Sequence, residues 1–208
     1  MDTFRYLVRF LYRIRWYLTI LPLIALIIAW FLTRNMERVY DTNTTIYTGM
    51  ITGYNIEGGT GVAGGNPQTN INNLMLIITT DNTIHEVALR LFARCMMYGN
   101  PDKDNNYISA EHFRELSKSV PADVKALINR NSESATYANL KAYEKPSQDN
   151  YLFGLLNYHT YFGLNNITSR LKVMQLNNSD IIDIGYSAND AGIAYNTLDI
   201  LNEVFARQ

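Results

Sequence analysis

Leu171-Lys-Val-Met-Gln-Leu176, Asn177-Asn-Ser-Asp180, Ile181-Ile-Asp-Ile-Gly-Tyr186 and the run from Ser187 to Phe205 follow one another without a break. The first piece reads as a strand and the second as a turn. The third is a second strand with Ile182 and Ile184 on one face, because side chains alternate along a strand. Ser187 to Asp190 can cap a helix. After it, Ala191, Ala194, Leu198, Leu201 and Phe205 recur at spacings of 3, 4, 3 and 4, a heptad seam that can pack on a sheet or start a coiled coil. The off-seam Asn196, Asp199, Asn202 and Glu203 are expected on an exposed or inter-subunit face. A hairpin joined to an amphipathic helix predicts an α+β domain with a small mixed sheet, several short helices and a long C-terminal helix.

Upstream, helical signals begin after Asn70. Thr83-Ile-His-Glu86 has the form of a capping box. Ile84, Val87, Ala88, Leu91, Phe92 and Cys95 then form the apolar stripe of an amphipathic helix. Short helices are expected over Ala110–Lys118, Pro121–Asn129, Glu133–Tyr143 and Gln148–Tyr158. Pro121 suits a first helical turn, and Pro146 separates the last two. Tyr151, Phe153, Tyr158, Tyr161 and Phe162 form an aromatic stretch that reads as core, with stacking on sugar rings as the functional alternative.

Further upstream, Tyr40 to Tyr54 is rich in Thr, Ile and Tyr and predicts a strand. Asn55 to Pro67 is a Gly-rich loop. It holds Gly59-Thr-Gly61-Val-Ala-Gly64, but Gly65, Asn66 and Pro67 follow at once, so no helix opens there to receive a pyrophosphate. The Gly58–Asn66 loop is expected to be dispensable for folding.

Trp16 to Thr33 carries no charged side chain. At ~1.5 Å per residue this stretch spans ~27 Å, close to the ~30 Å hydrocarbon core of a bilayer, and aromatic residues stand at both ends. It is followed by Arg34-Asn-Met-Glu-Arg38 rather than by a small-residue cleavage site, which favours a retained anchor over a signal peptide. Arg5, Arg9, Arg13 and Arg15 precede it, so the N-terminus is expected inside the cytoplasm. Phe4, Leu7, Val8 and Leu11 beside that Arg stripe fit either a short headgroup helix or a plain topogenic cluster. The organisation expected is a cytoplasmic segment over 1–15, a transmembrane helix over 16–33 and an extracytoplasmic domain over 34–208, with membrane lipid as one partner.

The 208 residues carry a formal net charge of −1, which gives no field for nucleic acid. The single cysteine, Cys95, excludes an internal disulfide and reads as a small buried hydrophobe. His85, His112 and His159 stand apart and lack the spacing of a zinc site. From Asn100, oxygen side chains fall at EF-hand-like positions that include Asp102, Asp104 and Glu111. The first position is neutral, however, and Asn105 stands where the calcium loop needs glycine. A polar loop with Ser109 capping the next helix is the plainer reading. No nucleophile is paired with a base, so no catalytic residue and no cofactor is expected.

Residues 181–205 resemble the chain-length determinant family of polysaccharide co-polymerases. The resemblance lies in the Ile-rich strand ending in Tyr186 and the short polar turn to Asp190. Ile193, Ala194, Leu201, Glu203 and Phe205 follow at the family's helical spacing. The anchor, the Tyr/Thr strand and the helix over 84–95 fit the same order of elements. Ala191 stands where the family usually has proline, and Asp199 where it usually has asparagine. The resemblance implies a periplasmic α/β domain on the bacterial inner membrane and a non-enzymatic homo-oligomer that sets the length of a surface polysaccharide. Its implied partners are a polysaccharide polymerase and a lipid-linked glycan. Members carry a second transmembrane helix, so the resemblance also implies that this chain is the N-terminal part of a longer protein. Two other readings are the extracytoplasmic sensor domain of a membrane receptor, and a glycan-processing enzyme using Asp180 and Asp183.

Overall fold

A computed structural model describes residues 2–34, 38–49, 67–177 and 179–207; side chains are described from residue 14 onward, except at 15 and 18. The chain divides into two units, Met1–Arg38 and Val39–Gln208.

The first unit contains α1, Asp2–Arg34, with Pro22 inside it. From Trp16 onward its described apolar side chains, among them Leu21, Ile24, Leu26 and Trp30, are exposed. The Arg34 guanidinium lies 5.2 Å from the Trp30 ring centroid, a cation–π contact at the end of the helix. Among the described residues no helix is long and apolar enough to cross a membrane. The span expected over 16–33 includes Leu18, whose side chain lies outside the described residues. So do Phe4, Arg5, Leu7, Val8, Leu11 and the arginines at 9, 13 and 15.

The second unit is α+β. Its sheet has the order β1-β3-β2, built from β1 (Tyr40–Tyr47), β2 (Leu171–Gln175) and β3 (Ile181–Ala188). Both pairings are antiparallel, so the sheet is not the mixed one expected. Tyr40 opposes Ala188 and Tyr47 opposes Ile181, which places the first strand of the domain along the full length of the last. The hairpin between β2 and β3 turns through Asn177, whose φ of 46° is a left-handed conformation that asparagine tolerates better than most residues. Ile182, Ile184, Tyr186 and Ala188 form one buried row of β3. The strand outruns its expected end at Tyr186, so Ser187 and Ala188 belong to the ladder and Asp190 alone caps the next helix. Of the strand expected over Tyr40–Tyr54, the part beyond Tyr47 is not strand at 48–49 and lies outside the described residues from 50 on. The Gly-rich loop, with its Gly59–Gly64 motif, lies outside them too.

The sheet's buried face is covered by α9, Ala191–Phe205, which is shorter than α3, Asp81–Tyr98. α3 packs on α9, on α6 (Glu133–Tyr143) and on α8 (Leu164–Arg170), so it lies among helices and not on the strands. That position explains its burial. The expected stripe Ile84, Val87, Ala88, Leu91, Phe92 and Cys95 is at most 1% exposed, and Leu89, Arg90, Ala93, Arg94, Met96 and Met97 are buried as well. An amphipathic stripe specifies one covered face; neighbours on several sides cover the rest. The helix is capped by Thr80, whose hydroxyl accepts from the Thr83 N–H, three residues before the expected capping box. Glu86 is free of capping work and pairs with Arg90 at 2.7 Å, an i,i+4 contact.

The remaining helices are α2 (Pro67–Ile78), α4 (Ala110–Ser119), α5 (Ala122–Ala126) and α7 (Tyr151–Tyr158). α2 begins at its proline, before Asn70. Pro121 is the N-cap of α5 and lies just before the first turn. α7 starts after an Asn150 cap, three residues later than expected. α8, which sequence periodicity did not reveal, is too short to show a stripe; only its Ile167 is buried. Phe162 and Tyr161 of the aromatic stretch are core, with Phe162 edge-on to Phe92 at 5.5 Å, whereas Tyr158 is exposed.

Candidate functional site

Two polar assemblies stand out in the second unit, and α9 takes part in both. The first is at its N-terminus. Asp190 is buried and ionised: Oδ1 accepts from the N–H groups of Gly192 and Ile193, which caps α9. Oδ2 accepts from the Ser109 N–H at 2.9 Å and faces Nδ1 of His112 at 2.6 Å. An ionised carboxylate only accepts, so Nδ1 carries the proton. Burial alone would raise this carboxyl; the hydrogen bonds from His112, Ser109 and Ile193 outweigh it and hold Asp190 below the usual carboxylate range. Ser109, His112 and Asp190 are the residue types of a nucleophilic triad. The serine hydroxyl and the carboxylate meet the same ring nitrogen, at 2.8 and 2.6 Å, so the ring does not stand between them as a proton relay requires. The three residues form a double cap: Ser109 caps α4 as its sequence predicts, and Asp190 ties that cap to α9.

The second assembly centres on Arg94 of α3. Its Nε meets Glu133 of α6 at 2.9 Å; Nη1 meets Asp199 at 2.6 Å and Nη2 meets Glu203 at 2.5 Å, both on α9. The Arg94 side chain is only 9% exposed. Burial opposes its charge, but the hydrogen bonds to Glu203, Asp199 and Glu133 more than offset that, and the guanidinium is held firmly protonated. Arg90 joins the network at Glu133, 3.8 Å away, pairs with Glu86 and lies over the Tyr137 ring at 4.7 Å. Asp199 and Glu203 were expected on an exposed or inter-subunit face. They are half-exposed, but their carboxylates turn back onto Arg94.

Beside Arg94 opens a polar cleft of about 330 Å³. α3 contributes Arg94 and Tyr98, α9 contributes Tyr195, Asn196 and Asp199, and Glu133 closes one side. The loop between α3 and α4 supplies Asn106 and Tyr107. That loop is held by its own side chains: Asn105 Oδ1 accepts from the N–H groups of Tyr107 and Ile108, and Asn105 Nδ2 donates to the Tyr98 carbonyl. Asn196 donates to the Asn106 carbonyl at 2.7 Å, which locks the loop to α9. Tyr98 and Tyr107 stack with centroids 4.5 Å apart and planes at 25°. Tyr98 is 41% exposed and Tyr195 59% exposed, so both aromatic walls reach solvent. Glu133 Oε1 is buried without a hydrogen bond and lies 3.8 Å from Nη1 of Arg90.

The sequence-predicted residues divide between these assemblies and the core. Tyr186, Ile193, Ala194 and Leu201 are buried, and Phe205 packs against the core from the end of α9. Within the expected seam Ala191 is exposed, and Asn196, expected outside, is 3% exposed. Ile193, Thr197, Ile200 and Val204 broaden the covered face, because α9 is clamped between the sheet and α3 instead of meeting one partner. Asp102, Asp104 and Glu111 are not gathered. Asp104 accepts from the Ala110 N–H, Asp102 is exposed in the loop, and Glu111 lies in the first turn of α4. No group of three or more His, Cys, Asp or Glu side chains fit to hold a metal occurs among the described residues. His85 pairs with Glu144 at 2.7 Å, and His159 Nδ1 accepts from the Tyr161 N–H. Asp180 is buried in phase with the inward row of β3, whereas Asp183 belongs to its outward row, so the two carboxylates do not face a common point. Cys95 is fully buried; burial pushes its thiol well above 9.0, the charge of Asp190 adds to this and that of Arg94 partly offsets it. Sequence reading missed the cleft because its walls come from four separate segments. The one local signal was the spacing of Tyr98 and Tyr107 around a turn-rich loop.

No family model, no curated protein and no solved structure matches this chain.

Proposed function

We propose that this protein is a membrane-anchored, non-enzymatic scaffold of the polysaccharide co-polymerase type, which works as a homo-oligomer beside a surface-polysaccharide polymerase and its lipid-linked glycan. The observation that carries the reading is where the family-like residues sit. Tyr186, Asp190, Ile193, Ala194 and Leu201 are the residues about which the domain is assembled: they lie on or beside the strand that pairs with β1 and in the helix that covers the sheet. Glu203 and Asp199 extend that helix into the Arg94 network. The exposed apolar side chains of α1 support the anchor, since a strip of exposed Leu, Ile and Trp is stable only where something apolar covers it. The Arg cluster before Trp16 supports a cytoplasmic N-terminus and a periplasmic domain.

The test is genetic and biophysical together. Deleting the gene should change the length distribution of a surface polysaccharide on a gel without abolishing its synthesis, and the detergent-purified protein should have the mass of a homo-oligomer. A monomer whose loss leaves every polysaccharide unchanged overturns the proposal and leaves the sensor reading in its place.

A further inference from the structure

We infer that the cleft beside Arg94 binds one or two rings of a neutral sugar chain, with Tyr98 and Tyr195 as stacking walls. The inference rests on the co-polymerase reading for the origin of the glycan, and on the cleft itself for the chemistry. The volume of about 330 Å³ lies at the small end of ligand sites, which run from roughly 300 to 1,000 Å³. Two aromatic side chains reach solvent there although nothing in the domain covers them. A pyranose has one apolar C–H face that lies flat on an aromatic ring, and a rim of hydroxyls that both donate and accept. Tyr98 is already stacked on Tyr107, which fixes the orientation of its ring.

Charge decides against the other ligand classes. The Arg94 guanidinium is the cation of the cleft, and each of its nitrogens already meets a carboxylate. Its charge is thereby already matched by carboxylates, and the partners Glu133 and Asp199 would repel a phosphate, sulfate or uronic acid. A cationic ligand would have to displace Arg94 from carboxylates that it holds at 2.6 to 2.9 Å. What the cleft offers is neutral hydrogen bonding. Asn106, Tyr107, Tyr195 and Asn196 are the uncharged polar residues of its lining. The Asn196 side chain is 3% exposed and held by two carbonyls, so the wall it belongs to is rigid before any ligand arrives.

The experiment uses the full chain in detergent and saturation-transfer NMR, with a panel of neutral trisaccharides (glucose, galactose, mannose and N-acetylglucosamine types) and uronic-acid trisaccharides. Saturable transfer to at least one neutral sugar is expected, with binding of the uronic acids at least tenfold weaker. Tyr98→Ala and Tyr195→Ala should each weaken binding about tenfold or more, and Tyr158→Ala, an exposed tyrosine outside the cleft, should leave it unchanged. Circular dichroism of each variant establishes folding, and the milder Tyr195→Phe should retain binding because it keeps the ring. The inference is overturned if no neutral sugar binds, if acidic sugars bind as well, or if the two alanine variants bind like the parent. Polysaccharide length in cells is read separately. Sugar binding with no effect of gene deletion on any polysaccharide would sink the scaffold reading and keep the cleft, while altered length without binding would do the reverse.

Discussion

The carboxylate of Asp190 and the imidazole of His112 meet at 2.6 Å across the N-termini of two helices, 78 positions apart in sequence. One ionised group thereby serves three backbone N–H donors and one ring N–H. Replacing Asp190 with Ala removes the α9 cap and strands the Ser109 N–H in the interior, so unfolding free energy should fall by about 2–4 kcal/mol. The comparison is a denaturant titration of parent and variant in the same detergent.

The same carboxylate makes stability acid-sensitive in a defined direction. Its folded pKa is depressed below the ordinary 3.8, so the unfolded state takes up protons first as pH falls. The contribution of Asp190 is complete above that ordinary value and is lost as pH drops through the lower folded value. Between about pH 5 and pH 2 the stability gap between the parent and Asp190→Asn should close. A gap that stays constant over this range would show that the charge of Asp190 contributes nothing.

Asp199 and Glu203 were expected on an exposed or inter-subunit face. With both carboxylates on Arg94, Asp199→Lys or Glu203→Lys sets a second cation against a guanidinium that is 9% exposed. Each should destabilise by about 1–3 kcal/mol, less than a fully buried charge would because the carboxylates themselves are half-exposed. Thermal melts check it, and Asp199→Asn, which adds no second cation, should cost less than the lysine.

Two helical glycines should respond with opposite signs to alanine. At Gly192, in the first turn of α9, a Cβ would lie 2.5 Å from the Tyr107 carbonyl carbon and 2.7 Å from the Ile108 nitrogen. Those are backbone atoms, so the loop or the helix must move, and a loss of at least ~2 kcal/mol is expected. At Gly154, in α7, a Cβ meets nothing within 4 Å. There alanine should stabilise by about 0.5–1 kcal/mol through helix propensity.

Cys95 should be silent in the native protein. Its sulfur is fully buried, and its thiol is pushed well above the ordinary 9.0, so almost no thiolate exists at neutral pH. A disulfide reagent should modify it only after denaturant is added, with one equivalent released per chain.

Local periodicity determined the hairpin, α9, the buried stripe of α3 and the Ser109 cap, because each depends on side chains a few positions apart along one element. The tertiary structure decided everything that needs two distant segments. Strand polarity was one such choice: nothing in Tyr40–Tyr47 states that it will run antiparallel to Ile181–Ala188, because a strand carries the same alternation in either direction. The pairing of the polar face of α9 was another. Asp199 and Glu203 read as free until α3 brings Arg94 alongside, and Asn196 is buried because the loop carbonyl of Asn106 accepts from it. The cleft is the third: Tyr98, Tyr107 and Tyr195 lie on separate segments, and packing α3 against α9 sets them around one opening.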